Sequence, residues 1–218
     1  MIDDILTKFR STGNLGRYKG RVWKMVRRFI PPVKRLFFEG DPGIPGQLWY
    51  RERIQLYRVI IEHQPKSCFE IGTWKGGGST FFIVHALERI GSGKLHTIEI
   101  DPAFYSEAKK NYSDRLSRYS PFVELHRGNY REVYPSILRD VGRVDFLILD
   151  GQEDAQETVN QYRFFLPYLR KGTVLMVHDW FTEKSRLLRP LIEDTAIWEI
   201  ESVLKPPVSL GLVTAVMK

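Results

Sequence analysis

The chain predicts an α/β fold: an open, doubly wound, mostly parallel sheet of seven strands, with an antiparallel last strand and helices on both faces. Three observations carry this. From residue 47 onward, short β-like apolar runs alternate with helical stretches, the pattern of strand–crossover–strand units. The first of these runs ends in a glycine cluster that leads straight into a helix. The last two runs are joined only by a loop containing Lys-Pro-Pro, too short for a crossover helix, so they must pair antiparallel.

The elements follow in order. Residues 48–63 have helical period, and 67–71 (SCFEI) form a short apolar strand. After the glycines a helix runs to Arg89, and 94–100 (KLHTIEI) alternates as a strand does. Asp101-Pro102 starts the next helix, Asp as the cap and Pro in the first turn, and it runs to about Ser117. A third strand occupies 122–127, a short helix 131–139, and a buried strand 144–149. Residues 155–169 are helical, closed by Lys171-Gly172 as a glycine C-cap. The fifth strand covers 173–178, a weak helix 186–193, and the closing strands 197–203 and 210–217.

Composition narrows the class. The 218 residues include plentiful aliphatic and aromatic side chains and 27% charged ones, which excludes wholesale disorder. The lone Cys68 excludes an internal disulfide framework or a Cys-based zinc cluster and suits a reducing compartment. No uncharged run approaches the roughly 18 residues of a membrane span, and MIDDILTKFR lacks the apolar segment of a signal peptide. The expected location is cytoplasmic. The net charge of +7 sits entirely in residues 1–40, which hold ten Lys/Arg and three Asp/Glu; the remainder holds 23 of each sign. DNA is therefore not an expected partner of the body. Residues 1–46 read as a basic helical arm and linker, and 47–218 as the main domain. Within the arm, 17–30 (RYKGRVWKMVRRFI) places Val22, Met25, Val26 and Phe29 at helical spacing among basic residues. Such a helix suits either an anionic membrane surface at the inner face or a packing contact with the domain or a second subunit.

Open α/β sheets bind ligands at the carboxyl ends of their strands. The first strand here ends in Glu70-Ile71-Gly72-Thr73-Trp74-Lys75-Gly76-Gly77-Gly78-Ser79. The glycines let the backbone approach a ligand closely, and the following helix offers free N–H groups. The spacing is not the G-x-G-x-x-G of dinucleotide binders, and Glu70 would repel a pyrophosphate; an acid there suits a cationic ligand instead. At the end of the second strand, the carboxylate of Glu99 can accept hydrogen bonds from both hydroxyls of a ribose.

Together, E-x-G-x-x-x-G-G-x-S, then T-I-E-I-D, Gly128-Asn129 and Leu149-Asp150-Gly151 resemble class I S-adenosylmethionine-dependent methyltransferases, from about residue 47 to the C-terminus. The stretch 144–180 resembles their bacterial small-molecule O-methyltransferase branch and, more loosely, the catechol O-methyltransferase type. The resemblance implies a Rossmann-like fold and S-adenosylmethionine as cofactor. It places Glu70 and Gly72 at the methionine part, Trp74 flanking the cofactor, Glu99 at the ribose and Asn129 by the adenine, with Thr73, Gly76, Ser79, Ile100, Tyr130 and Asp150 also among the cofactor-binding residues.

Methyl transfer to oxygen requires alignment and removal of a proton. A phenol, titrating near 10, costs about 4 kcal/mol to ionise at pH 7; an alcohol costs far more and needs a metal or a base acting within the transition state. The candidates are Asp150, Glu153, His178 and Asp179 at the ends of the fourth and fifth strands. By the resemblance, Asp150 and Asp179 would hold a divalent cation, for which Mg²⁺ suits the oxygen donors. Trp180 and Glu153 depart from the metal-dependent pattern, and His178 is the alternative base. Tyr130, Tyr134, Trp180 and Phe181 are candidates for an acceptor pocket, Trp180 first. The expected partner is a small hydroxylated acceptor, with a homo-oligomer compatible. Two other readings stay open: a nitrogen or RNA acceptor, and a non-catalytic cofactor-binding or tethered domain.

Overall fold

A computed structural model describes residues 43–151, 154–207 and 209–218. Seven strands form one sheet: β1 (Ser67–Ile71), β2 (Lys94–Glu99), β3 (Val123–Arg127), β4 (Phe146–Leu149), β5 (Val174–His178), β6 (Trp198–Leu204) and β7 (Leu212–Met217). Their spatial order is β3-β2-β1-β4-β5-β7-β6. The first five pair in parallel, and β7 runs antiparallel to both β5 and β6. The predicted architecture is thus present. The order reverses between β1 and β4, so the crevice above their carboxyl ends is where such a sheet takes a ligand.

Among the described residues, six α-helices flank the sheet: α1 (Tyr50–His63), α2 (Ser79–Ile90), α3 (Pro102–Asp114), α4 (Tyr130–Val141), α5 (Ala155–Phe165) and the single turn α6 (Arg189–Ile192). The predicted cap of α3 holds: Asp101 Oδ1 accepts from the N–H groups of Ala103 (2.7 Å) and Phe104 (3.0 Å). Two helix ends differ from expectation. The helix predicted to Leu169 ends at Phe165 and tightens to a 3₁₀ turn at Leu166–Tyr168. Pro167 lacks an N–H and so cannot extend the i→i−4 ladder, which accounts for the early stop although Leu166 itself keeps right-handed helical dihedrals. Gly172 therefore caps no helix; it turns the chain into β5 at φ 85°, donating its N–H to Met217 O. The helix predicted to Ser117 ends at Asp114, and a 3₁₀ turn at Ser117–Phe122 leads into β3.

The parallel strands are buried on both faces, so β1, β4 and β5 are apolar nearly throughout. One face packs Phe69, Leu147, Leu149, Leu175 and Val177 against Tyr134 and Leu138 of α4 and Phe165 of α5. Packing extends upstream of Gln47: Ile44 is buried, and a Cβ on Gly46 would lie 2.4 Å from Gly77 O. The segment before α1 thus lies against the glycine turn. The basic arm, the helix expected at 17–30 and the membrane or subunit contact expected of it fall outside the described residues. Among those described, no helix is long and apolar enough to cross a membrane.

Candidate active site

A cleft of about 410 Å³ opens above the carboxyl ends of β1, β2, β4 and β5. Its walls include Gly72, Thr73, Trp74, Ser79, Glu99, Ile100, Asn129, Tyr130, Asp150, His178 and Asp179. Most of the predicted positions therefore meet at one place. Glu70 and Gly76 are not on the wall, and Glu153 lies outside the described residues.

The turn after β1 is shaped by close approach. Gly72 has φ 105°, and a Cβ there would sit 2.5 Å from Asp150 O on the neighbouring strand; only glycine allows both. Glu70 sits beneath this turn, fully buried, its Oε2 accepting from the hydroxyls of Thr80 and Thr97 at 2.6 Å each. Burial pushes its carboxyl up to about 7, against the lowering effect of the Ser79, Thr80 and Thr97 hydroxyls. Its side chain thus braces the turn from below, and it does not line the cleft.

Glu99 is held as an acceptor. Its Oε2 takes the Trp74 N–H (2.7 Å) and its Oε1 the Asp101 N–H (2.9 Å). Each carboxylate oxygen has two lone pairs, so both keep capacity for a further donor. Trp74 stands at φ 48°, a left-handed conformation that is uncommon for a bulky residue and concentrates at functional turns. Further along, Ile100 is 58% exposed and Tyr130 donates to Glu157 Oε1 (2.9 Å). Asn129 caps α4 by accepting the Arg131 N–H at its side-chain oxygen (2.9 Å), and its NH₂ group is left to face a ligand.

At the other end of the cleft, β4 and β5 bring Asp150, His178 and Asp179 together. His178 is surrounded by acids: Nε2 lies 3.1 Å from Glu52 Oε2, and Nδ1 lies 2.8 Å from Asp150 Oδ1 and 3.2 Å from Asp179 Oδ2. The Nδ1 contacts are short, yet neither is aligned as a hydrogen bond. Burial alone would lower the His178 pKa, but Asp150, Asp179 and Glu52 override it and raise it well above the ordinary histidine value. Burial likewise works to raise Asp150 and Asp179, but His178 with Lys184 lowers both from the ordinary aspartate value. At neutral pH the ring is an imidazolium among carboxylates. The surrounding carboxylates thus favour the protonated ring, in contrast to the unperturbed titration that marks His178 as an alternative base.

Two members of this cluster have no marker in the sequence. Glu52 of α1 is fully buried and also accepts from the Trp49 N–H and the Ser209 hydroxyl, each at 2.6 Å. Lys184, 2% exposed in the 3₁₀ turn after β5, places Nζ 3.2 Å from Asp150 Oδ1 and 3.9 Å from Asp179 Oδ2. A buried lysine is rare unless paired, which is the only hint its sequence position could not supply. The aromatic expectation also changes. Tyr130 lines the cleft, but Trp180 is 2% exposed in the core and Tyr134 donates its hydroxyl to Glu70 O and His96 O beneath the sheet. Asp179 takes a left-handed φ of 57°, and Trp180 follows with its N–H on Gly211 O.

The donor atoms of Asp150, His178 and Asp179 lie within 4.8 Å of one another, close enough for one ion. The charges argue otherwise. Lys184 and His178 already sit against the two carboxylates, so a cation would have to displace both, and one of the three donors is a ring nitrogen where Mg²⁺ prefers oxygen. As arranged, these residues do not fit Mg²⁺.

Comparison with known proteins agrees with this geometry. A family model described as a methyltransferase domain matches residues 69–180. No curated protein sequence matches the chain. Among solved structures, an O-methyltransferase from Bacillus cereus in complex with S-adenosylhomocysteine is 18% identical, with TM-score 0.66, over 91% of this chain and 97% of that one. The O-methyltransferase TomG from Streptomyces achromogenes, involved in tomaymycin synthesis and bound to S-adenosylmethionine, is 18% identical, with TM-score 0.65, over 85% and 86%. A methyltransferase from Geobacter sulfurreducens is 16% identical, with TM-score 0.61, over 91% and 98%. With half the chain matched by the family model and the cleft at the reversal point of the sheet, the chain belongs to the methyltransferase-domain family and is a class I S-adenosylmethionine-dependent methyltransferase.

Proposed function

We propose that residues 47–218 methylate a hydroxyl oxygen of a small metabolite, such as a sugar or a natural-product intermediate, in the cytoplasm. The observation that supports this most is the continuity of one cleft from the glycine turn, past Glu99, to the Asp150–His178–Asp179 cluster. Its size falls in the range of small-molecule sites. O-methyltransferases among the structural neighbours, two of them holding the cofactor or its product, support the same acceptor class.

Bound S-adenosylmethionine supplies a methyl group made electrophilic by the sulfonium. In this reading the turn at Gly72 and Thr73 admits the methionine end, Glu99 accepts from the ribose hydroxyls, and Ile100 and Tyr130 cover the adenine with Asn129 beside it. Asp179 holds the acceptor: its Oδ1 is buried and has no partner among the described residues, leaving it for the acceptor hydroxyl. The proton leaves late. As the acceptor oxygen gains a methyl its proton becomes strongly acidic, so even a carboxylate with a depressed pKa can take it within the transition state. His178 and Lys184 hold Asp150 and Asp179 in place and supply the positive field that favours a partly ionised acceptor.

The test is turnover of purified enzyme with S-adenosylmethionine and a panel of phenols, sugars, amines and short RNAs, read by mass spectrometry for the gain of one methylene. Methylation confined to hydroxyl acceptors is expected. Product formed only from amines or RNA would overturn the acceptor class, and cofactor binding with no product from any acceptor would favour the non-catalytic reading.

A further inference from the structure

A second cluster lies apart from the cleft, on β2 and the edge strand β3. Parallel register sets His96 opposite Glu124 and Ile98 opposite His126. Because side chains alternate across a strand, His96, Glu124 and His126 all stand on one face. In the sequence they show no ligand spacing; the strand pairing brings them together. We infer that His96, Glu124 and His126 form a binding site for a zinc-type divalent transition-metal ion that ties β3 to β2.

Distances support three ligands for one ion. His96 Nδ1 lies 3.4 Å from His126 Nε2 and 3.3 Å from Glu124 Oε2, and His126 Nε2 lies 4.0 Å from that oxygen. Tetrahedral zinc with bonds of 2.0–2.1 Å sets its ligand atoms about 3.3 Å apart. Two of the three separations already match, and the third needs only a small swing of Glu124, whose side chain is 48% exposed. A hydrogen-bond network explains the cluster less well. A single proton on His96 Nδ1 cannot serve both the ring nitrogen and the carboxylate oxygen, whereas one cation satisfies all three lone pairs.

The surroundings suit a ligand set. His96 stacks on Phe69 at 5.0 Å between centroids, and His126 meets the edge of Tyr134 at 6.0 Å, so both rings are oriented. Lys94 Nζ approaches the other oxygen of Glu124, Oε1, at 3.4 Å and leaves Oε2 to the rings. The half-exposed Glu124 at the sheet edge gives the ion an entry path and leaves the fourth position to water.

The test uses the full chain without an affinity tag, stripped with chelator and dialysed. Zn²⁺ is titrated by calorimetry, and Co²⁺ is added as a probe of four-coordinate geometry through its visible absorption. Wild type should bind one Zn²⁺, melt higher with it, and give the four-coordinate Co²⁺ spectrum. Glu124→Ala and His126→Gln, checked for folding by circular dichroism, should each weaken binding at least about tenfold. Asp150→Asn should leave Zn²⁺ affinity unchanged. Absence of binding, binding that survives both Glu124→Ala and His126→Gln in folded protein, or binding lost in Asp150→Asn would each overturn the assignment.

Discussion

Replacing Lys184 by methionine removes the ammonium while keeping an unbranched chain of similar length in the buried slot. Lys184 Nζ lies 3.2 Å from Asp150 Oδ1 and 3.9 Å from Asp179 Oδ2, with its own side chain 1% exposed and the carboxylates 19% and 12% exposed. Two unit charges about 4 Å apart interact by about 4 kcal/mol at an effective dielectric of 20. Breaking one side of a buried pair costs about 3–5 kcal/mol. The cleft admits water beside Asp150 and Asp179, which places the expected loss at the lower end of that range. Urea unfolding at pH 7 measures it, and Asp150→Asn in the Lys184→Met background should recover part of it, because the uncompensated carboxylate is then gone. Mg²⁺ provides the second arm. Wild-type stability should not respond to millimolar Mg²⁺, whereas Lys184→Met, with its carboxylates released, should be stabilised by it. A variant as stable as wild type, or a wild-type midpoint that rises with Mg²⁺, would refute the account in which the ammonium takes the place of a metal.

Glu99→Gln should weaken S-adenosylmethionine binding about 10- to 150-fold in calorimetry, the equivalent of one charged hydrogen bond of roughly 1.5–3 kcal/mol, with the melting temperature as the folding control. Asp179→Asn should lower kcat by about 10²- to 10⁴-fold, the range of general-base contributions, and leave cofactor affinity near wild type; equal turnover would remove Asp179 from proton transfer. Glu70 makes stability depend on pH. Its folded-state pKa of about 7 is raised above the ordinary 4.5, so the stability it contributes is complete below about pH 4.5 and is lost as pH rises through 7. At full burial that amounts to roughly 3 kcal/mol by linkage. Glu70→Gln should therefore flatten the fall in urea midpoint between pH 5 and 8, and an unchanged slope would show that Glu70 is not the titrating group.

Much of the site was legible because its logic is local. Gly72, Glu99 and Asp150 each close a strand, and strand ends of an open parallel sheet converge by topology alone, so their grouping follows from the order of elements. Asp101 before Pro102 likewise marks a helix start through contacts within one turn. Helix ends were less legible where 3₁₀ turns compete, as at Leu166–Tyr168, because Pro167 sits inside an otherwise helical period.

What the sequence by itself determined is the alternation of elements, the antiparallel finish and the identity of the residues at the strand ends. What tertiary structure alone decided is the charge state and company of those residues. Glu52 and Lys184 reach His178, Asp150 and Asp179 across 126 and 34 residues of chain, and no pattern along the chain encodes such a contact. Burial then reverses expectations based on isolated side chains: His178 is held as a cation by three carboxylates, and Trp180 turns into the core. His96 and His126 meet only because two parallel strands adopt one register. Pairing, burial and through-space charge act between residues distant in sequence, so they exist only once the chain has folded.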